Sequence, residues 1–358
     1  MPIDRRDATV RLATALLLAA TPTGSVRAED AVGAFYKGRQ INLIVGYGPG
    51  GGYDLTARLL ARHFGRFMPG NPSIAVQNLA GAGSLRAANF LYGAAPKDGA
   101  TFGVFGSDIP MIGLLGTNSA VQFDARKFTW LGSSSDFSDD AYVLIVRKDA
   151  PVRSIADATR SDGPPLVLGG TATGGGSSDV PKILHDTIGI NMRLVAGYRD
   201  SAAIYLAMEN GEVQGRTTEL SSVASTRPAW LLPDSRFRVL LQYARATRLA
   251  SLAEVPTARE VAPNEKARRL IEFTEAPFLM AYPYAAPPDL PRDRAAALQD
   301  AFVAVHRDPQ FLQEAKTIGV DVSPVSAADL RREIEDLARA PAETFDYVRK
   351  LLAAGKGG

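Results

Sequence analysis

Ile41 to Phe64 reads INLIVGYGPGGGYDLTARLLARHF and has the clearest pattern of secondary structure in the chain. The apolar, β-branched run Ile41 to Val45 predicts a buried strand, and the glycine cluster Gly46 to Gly52 predicts a tight turn after it. Apolar side chains then recur at helical spacing, which predicts a helix containing Leu55, Leu59, Leu60 and Phe64. A buried strand, a glycine turn and a helix in this order are typical of α/β domains.

The same unit recurs along the chain. Ser73 to Val76 and Thr101 to Phe105 predict strands on either side of a helix from Ser84 to Tyr92. A second series begins with the strand Tyr142 to Val146, and a second glycine-rich turn follows the strand Leu166 to Leu168. Strands that alternate with helices predict a parallel sheet.

The last part of the chain has a different pattern. Phe278 to Tyr284 predicts an extended stretch, and amphipathic helices are predicted from Asp293 to Val305 and from Ala327 to Leu352. No long linker or low-complexity tract separates the parts of the chain, so domains arranged like beads on a string are not expected.

The N-terminus has the pattern of a secretory signal peptide. Arg5, Arg6 and Arg11 precede an apolar run from Leu12 to Ala20, and small residues lead to a predicted cleavage site after Ala28. The run is shorter than the roughly 20 residues that a membrane-spanning helix needs. We therefore expect export to the periplasm as a free, mature protein.

Composition excludes several classes of function. The chain has no cysteine, so a disulfide framework, a thiolate nucleophile and a cysteine-linked lipid anchor are all impossible. The 40 basic and 38 acidic residues nearly balance. Such a balance argues against nucleic acid as a partner.

Two glycine-rich turns join a strand to a helix, Gly46 to Gly52 and Gly169 to Gly176, one in each half of the predicted fold. A turn of this kind leaves unpaired backbone N–H groups and the positive end of a helix dipole facing one point, which favours an anion. If the two halves face each other, both turns can hold an acid from opposite sides of a cleft.

A nucleotide site is the alternative interpretation of the first turn, because Gly46, Gly48 and Gly51 match GxGxxG. A dinucleotide fold requires an acid at the end of the second strand, where this chain has Gln77 and Asn78. A nucleotide-binding enzyme therefore remains only an alternative.

Catalytic machinery is not evident in the sequence. His63, His185 and His306 are the three histidines, and none of them forms a metal-type pair at helical spacing. The chain has no GxSxG motif for a nucleophilic serine. We predict no enzymatic activity, no metal and no cofactor.

Five segments resemble the Bug-type periplasmic receptors, which are the solute-binding components of tripartite tricarboxylate transporters. They are GYGPGGGYDLTAR (Gly46 to Arg58), QNLAGAGS (Gln77 to Ser84), AAPKDGATFGV (Ala94 to Val104), GYRDSAAIYLAMENGEVQGR (Gly197 to Arg216) and VPTARE (Val255 to Glu260). The resemblance extends over essentially the whole mature chain.

The resemblance implies an α/β protein with the two-lobed, type II-like Venus flytrap architecture of periplasmic binding proteins. The signal peptide would occupy residues 1–28, the first lobe residues 29–141 and 256–358, and the second lobe residues 142–255. The expected function is capture of a small organic acid by lobe closure and delivery to the membrane permease of a tripartite tricarboxylate-type transporter, by a monomer with no nucleic-acid partner. A ligand sensor that acts on a signalling partner is the second possibility, because the same clamp serves both purposes.

The resemblance also implies that two first-lobe loops and the second-lobe turn hold the ligand carboxylate, partly through ordered waters. The candidate ligand-binding residues are Tyr47, Pro49, Gly50, Gly51, Gly52, Tyr53, Asp54, Asn78, Gly81, Ala82, Gly83, Ser107, Thr171, Thr173, Gly174, Gly175, Ser177, Ser178, Arg199 and Asp200.

Several of these residues have a structural alternative. Asp54 can cap its helix, Asn78 can stabilise its turn, and Arg199 can be an ordinary exposed arginine. The second lobe departs from the family pattern, because its turn is longer and richer in glycine and because Arg216 to Glu219 replace small or acidic residues. This departure weakens any inference about which acid is bound.

Overall fold

A computed structural model describes residues 31–116, 120–171 and 176–353, with side chains as far as residue 350. The predicted signal peptide lies outside these residues, as do three candidate site residues, Thr173, Gly174 and Gly175.

Eleven strands occur within the described residues. They are β1 Gln40–Val45, β2 Ser73–Asn78, β3 Thr101–Val104, β4 Thr129–Ser133, β5 Tyr142–Arg147, β6 Leu166–Gly169, β7 Met192–Val195, β8 Gly215–Glu219, β9 Phe237–Tyr243, β10 Pro283–Ala286 and β11 Val325–Ser326.

The helices follow the strands in the alternation expected from the sequence. In the described ranges they are α1 over residues 31–36, α2 Gly52–Phe64, α3 Leu85–Gly93, α4 Ile109–Leu115, α5 Ile155–Ala158, α6 Gly176–Ile188, α7 Ser201–Asn210, α8 Leu220–Thr226, α9 Glu265–Glu275, α10 Arg292–Val305, α11 Pro309–Ile318, α12 Ala327–Ala338 and α13 Ala342–Ala353. None of the helices in these ranges is long and apolar enough to cross a bilayer.

The strands form two sheets, and each sheet is the centre of one lobe. The first has the order β11-β4-β10-β3-β1-β2, and the second has the order β7-β6-β8-β5-β9. β1 pairs in parallel with β2 and β3, whereas β10 is antiparallel to β3 and β4. The sheets are therefore mixed and not parallel as predicted, because strands that follow a crossing between the lobes enter the sheet from the opposite direction.

Each sheet carries a hydrophobic core on both faces. In the first lobe, α2, α10 and α11 cover one face around Leu59 and Phe302, and α3 and α12 cover the other around Trp130. In the second lobe, α6 and α9 cover one face around Leu184, and α7 covers the other around Tyr205. The apolar runs of β1 and β5 are almost entirely buried because both faces of their sheets are covered.

The chain crosses from the first sheet to the second between β4 and β5, at residues 134–141, and re-enters the first sheet between α9 and β10. Arg245, which follows β9, donates hydrogen bonds to the carbonyl oxygens of Phe137, Ser138 and Asp140 in the first crossing segment, at 2.9, 2.9 and 2.7 Å. Helix α9 packs in the core of the second lobe, although it follows residue 256. The lobe boundaries of the sequence analysis remain a prediction, and we propose that the final return to the first lobe follows α9.

Proline accounts for two local differences from the predicted elements. The stretch Phe278 to Tyr284 is not extended throughout, because Pro277 starts a short 3-10 helix, Ala276–Met280, before β10. The last helical region divides into α12 and α13, and Pro341 stands directly before α13.

Candidate functional site

Asp54 and Asn78 hold the first glycine turn from beneath. The Asp54 carboxylate is buried and accepts hydrogen bonds from the Gly50 N–H, from Arg58 Nε and from Asn78 Nδ2, each at 2.9 Å. The Asn78 amide also donates to the Tyr47 carbonyl oxygen at 2.9 Å. The Arg58 hydrogen bond is the main reason that the pKa of Asp54 falls to about 2. These contacts position the turn, and a ligand-binding role for either side chain stays a prediction.

Three tyrosines form a wall beside this turn. Tyr47 stacks on Tyr53 with ring centroids 4.4 Å apart, and Tyr53 meets the edge of Tyr282 at 4.8 Å. The Tyr53 hydroxyl donates to the Ala281 carbonyl oxygen at 2.9 Å and accepts from the Ser107 N–H at 3.1 Å. The first-lobe candidates around Tyr53 therefore lie together, in contact with the segment that leads into β10.

The loop before α3 has an unusual backbone. Gly81, Ala82, Gly83 and Ser84 all have positive φ values, 146°, 48°, 60° and 78°. Such values cost free energy for residues other than glycine, and they concentrate at binding sites. Ser84 is buried against Gly46 of the glycine turn, while the other three residues are exposed. The two first-lobe loops are thus packed against each other.

The second-lobe turn closes on the start of α6. Ser177 Oγ accepts from the Thr171 N–H at 3.1 Å, and Ser178 Oγ donates to the Thr171 carbonyl oxygen at 2.7 Å. Thr217 of β8 donates to the carbonyl oxygen of Gly176 at 3.3 Å. Both serines are buried and support the turn, so the described part of this loop can offer backbone N–H groups to a ligand.

The third predicted region consists of Arg199 and Asp200, and its aspartate has a structural role. Asp200 accepts from the Ala203 N–H at 2.9 Å and caps α7, while the Arg199 side chain is 88% exposed and pairs with Asp200 at 2.8 Å. Arg216 is buried nearby, with hydrogen bonds to the Ser201 carbonyl oxygen and hydroxyl at 3.2 and 3.1 Å.

Ionisable groups of the two lobes lie near each other beside the three tyrosines. Burial is the first cause that raises the pKa of Tyr47 and Tyr282 of the first lobe, and the negative charge of Glu219 in the second lobe raises it further. Burial also raises the pKa of Asp108 to about 7, with a contribution from Asp179 across the cleft. Such interactions require charges that lie near each other in a poorly solvated region.

Sequence reasoning missed three residues of this region, Asp108, Glu219 and Tyr282. Asp108 stands four residues after β3, and Glu219 is the last residue of β8. A position just after a strand is a usable signal, because ligands of α/β proteins bind at the carboxyl ends of strands. Tyr282 carries no such signal, since only the crossing between the lobes brings it to the glycine turn.

The described residues around the turns can recognise a ligand through the dipoles of backbone and side-chain groups. They contain no group of three histidine, aspartate or glutamate side chains that could hold a metal ion. His306 is buried in the first-lobe core, where it contacts the Phe302 carbonyl oxygen and Ser134 Oγ at 2.7 and 2.9 Å, and so does not face the cleft loops.

Solved structures with this architecture are binding proteins. The periplasmic binding protein BugD aligns with a TM-score of 0.63 at 17% identity, over 88% of this chain and 98% of its own. An R. palustris protein with adipate aligns at 0.63 and 22% identity, over 88% and 98%. MatC from Rhodopseudomonas palustris with bound malate aligns at 0.59 and 17% identity, over 88% and 99%. At these identities the likeness establishes the two-lobed fold alone.

Sequence comparison establishes the family. No curated protein sequence matches the chain at a significant level. Residues 58–342, however, match the family described as the tripartite tricarboxylate transporter family receptor, TctC. This match begins after the first glycine turn and includes the strands β2 to β11. The chain belongs to the receptor family of the tripartite tricarboxylate transporters.

Proposed function

We propose that this receptor captures a small organic acid between its lobes in the periplasm and delivers it to the membrane permease of a tripartite tricarboxylate-type transporter. The observation that supports the proposal is a pair of strand-to-helix turns, before α2 in the first lobe and before α6 in the second, in a chain of this family. Helix N-termini and glycine turns bind carboxylates through backbone N–H groups. The structural relatives with adipate and malate support a carboxylate as the ligand.

Binding requires closure of the lobes. Ligand contacts from both turns form together only when the lobes approach, so the ligand favours the closed state by those additional contacts. The permease would then bind the closed form. The protein would act as a monomer. It would catalyse no reaction of its own, because a receptor binds and releases its ligand unchanged.

The proposal is tested by thermal unfolding of the mature protein, residues 29–358, with a panel of small mono-, di- and tricarboxylates. A ligand at a hundred times its dissociation constant stabilises the folded state by about 2.7 kcal/mol, which raises the melting temperature measurably. The matching amides and nucleotides are the controls. A response to nucleotides and to no acid would support the dinucleotide interpretation instead.

A bulky residue at position 51 provides a matched test of the site. Gly51 is exposed, has no atom within 4 Å of the place that a β-carbon would take, and has an ordinary φ of −85°. We expect Gly51→Leu to reduce acid binding at least tenfold, because the side chain occupies the turn, and to leave unfolding by denaturant unchanged within about 0.5 kcal/mol. Gly163→Leu, at an equally open second-lobe position, is the control. Equal affinities in the two variants would show that the turn is not the site.

Position 83 is less suitable for the same test. Gly83 also has open space around it, but its φ of 60° strains any other residue. A loss of binding in a Gly83 variant would therefore combine a steric effect with a stability effect.

A further inference from the structure

Glu219 lies beside the second-lobe turn, and its negative charge contributes to the raised pKa of Tyr47 and Tyr282 in the first lobe. It is the direct cross-strand partner of Tyr142, so the two side chains extend from the same face of the sheet. On that face the Tyr142 hydroxyl lies against the α-carbon of Gly176, where an added methyl group would be 2.7 Å from it. Glu219 is thus placed at the start of α6, next to the turn proposed to bind the ligand.

Asp108 occupies the corresponding place in the first lobe. Its carboxylate lies over the α-carbon of Gly106, together with the hydroxyl of Tyr47. The Tyr47 and Tyr53 rings continue this surface towards the glycine turn. Asp108 is therefore directed into the space that Tyr47 borders and is not at the outer surface of the lobe.

Within the described ranges, the two carboxylates have no basic partner. Neither Asp108 nor Glu219 forms an ion pair in the part of the chain that the structure describes, whereas Lys182 is already bound to Asp179 at 3.5 Å. The guanidinium of Arg216 is directed to Ser201 and to the face of Tyr205. Glu219 accepts one hydrogen bond, from Thr218 at 3.4 Å.

Charge balance decides what such a cleft can accept. Burial already raises the pKa of Asp108 to about 7, and a ligand with carboxylates alone would bring further negative charge beside Asp108 and Glu219 and oppose their ionisation further. A ligand that also carries an ammonium group would offset that charge. The three tyrosines beside the glycine turn also favour an ammonium group, because the faces of tyrosine rings attract cations.

We propose that the ligand carries a protonated amine as well as a carboxylate, and that Glu219 and Asp108 bind the amine while the first glycine turn binds the carboxylate. This inference rests on the function proposed above and specifies its ligand class as an amino acid or another amine-bearing acid. Glu219 and Asp108 are then the residues that determine specificity within the cleft.

The test uses pairs of acids that differ by one α-amino group: succinate and aspartate, glutarate and glutamate, adipate and 2-aminoadipate. Dissociation constants are measured by calorimetry on the mature protein. In at least one pair we expect the amino acid to bind tenfold or more tightly than its partner. Glu219→Gln should weaken the amino acid and strengthen the plain acid, so that the ratio of the two constants falls at least tenfold.

Glu212→Gln is the matched control, because Glu212 is an exposed glutamate of the same lobe outside the cleft. The control should retain the wild-type ratio. If plain acids bind as tightly as the amino acids and Glu219→Gln leaves the ratio unchanged, the amine inference is wrong and the receptor for organic acids stands. If no acid of either kind binds, the proposed function fails together with the inference.

Discussion

Single residues decide how closely the two first-lobe loops approach each other. Gly46 lies directly against Ser84, so that a β-carbon at position 46 would overlap the Ser84 hydroxyl and lie 2.8 Å from its β-carbon. The Ser84 Oγ is buried and has no hydrogen-bond partner among the described residues. Glycine at position 46 is therefore required by the neighbouring loop, and the GxGxxG pattern here has a packing cause that does not involve a nucleotide.

This contact predicts a specific pattern of stabilities. We expect Gly46→Ala to lower the free energy of unfolding by roughly 1–3 kcal/mol, the usual cost of overpacking. The change Ser84→Gly in the same chain should recover part of the loss, because it removes both clashing atoms and suits the φ of 78° at that position. Urea unfolding of the single and double variants measures both effects.

Gly48→Ala is the control for the same turn, since no atom lies within 4 Å of the added methyl group. It should change stability by less than about 0.5 kcal/mol. Equal losses for the two alanine variants would show that flexibility of the turn, and not the contact with Ser84, sets the requirement for glycine.

His306 predicts how stability depends on pH. Burial lowers the pKa of His306 to about 4, although its hydrogen bond to the Phe302 carbonyl oxygen opposes the shift. In the unfolded chain the pKa is about 6.5, so the folded state is favoured while this histidine is neutral. The contribution, on the order of 3 kcal/mol, is fully present above pH 6.5 and is lost as the pH falls through about 4.

Replacing His306 by glutamine should therefore flatten the decline in melting temperature between pH 7 and pH 4.5, relative to the wild type. His185, which is exposed, provides the matched His→Gln control and should retain the wild-type decline. Parallel curves for the wild type and His306→Gln would contradict this account.

At the level of secondary structure, local sequence patterns predicted the strands and helices that are determined by residues close together in the chain. The strands β1, β5 and β6 and the helix after each glycine turn follow from apolar runs, helical spacing and glycine clusters. The sequence analysis missed β4 and β7, because runs of five and four residues with mixed side chains carry little signal. It also missed the antiparallel direction of β10, which depends on the path of the chain through the other lobe.

The candidate site likewise combines parts that are determined locally with parts that depend on distant segments of the chain. The glycine turns were identified because their chemistry lies within one short segment. The pairing of Glu219 with Tyr142 and the approach of Tyr282 to Tyr53 join residues far apart in the chain, and no local pattern specifies them. Long-range residues of this kind supply the charge of the cleft, so the class of ligand was harder to predict than the place where it binds.

For the whole molecule, the crossing segments set the relation between the lobes. Arg245 bonds three carbonyl oxygens of the first crossing segment, and Glu275 at the end of α9 accepts from the Ala244 N–H at 2.9 Å and from Arg259 at 2.5 Å. The first crossing segment is thus tied to the segment after β9, and that segment is tied to the end of α9, where the chain returns to the first lobe. A rotation of one lobe must bend both crossings together, which favours a small set of lobe arrangements over free movement.

Spin labels on the two lobes can measure how the crossing segments restrict the lobe arrangement. The chain has no cysteine, so Lys97→Cys in the first lobe and Arg193→Cys in the second allow two spin labels to be placed without background. Pulsed electron paramagnetic resonance should show one broad distance distribution without ligand and a narrower one with an acid that binds. Arg245→Ala should broaden the distribution of the empty protein, because three hydrogen bonds from the second lobe to the first crossing segment are lost.

Arg248→Ala is its matched control, since Arg248 lies three residues further on and binds Glu260 and the Ala253 carbonyl oxygen, and not the first crossing segment. If the two alanine variants have the same distance distribution, Arg245 does not couple the crossings. If a bound acid leaves the wild-type distribution unchanged, ligand binding does not require closure, and the permease must recognise a feature of the loaded receptor other than the position of its lobes.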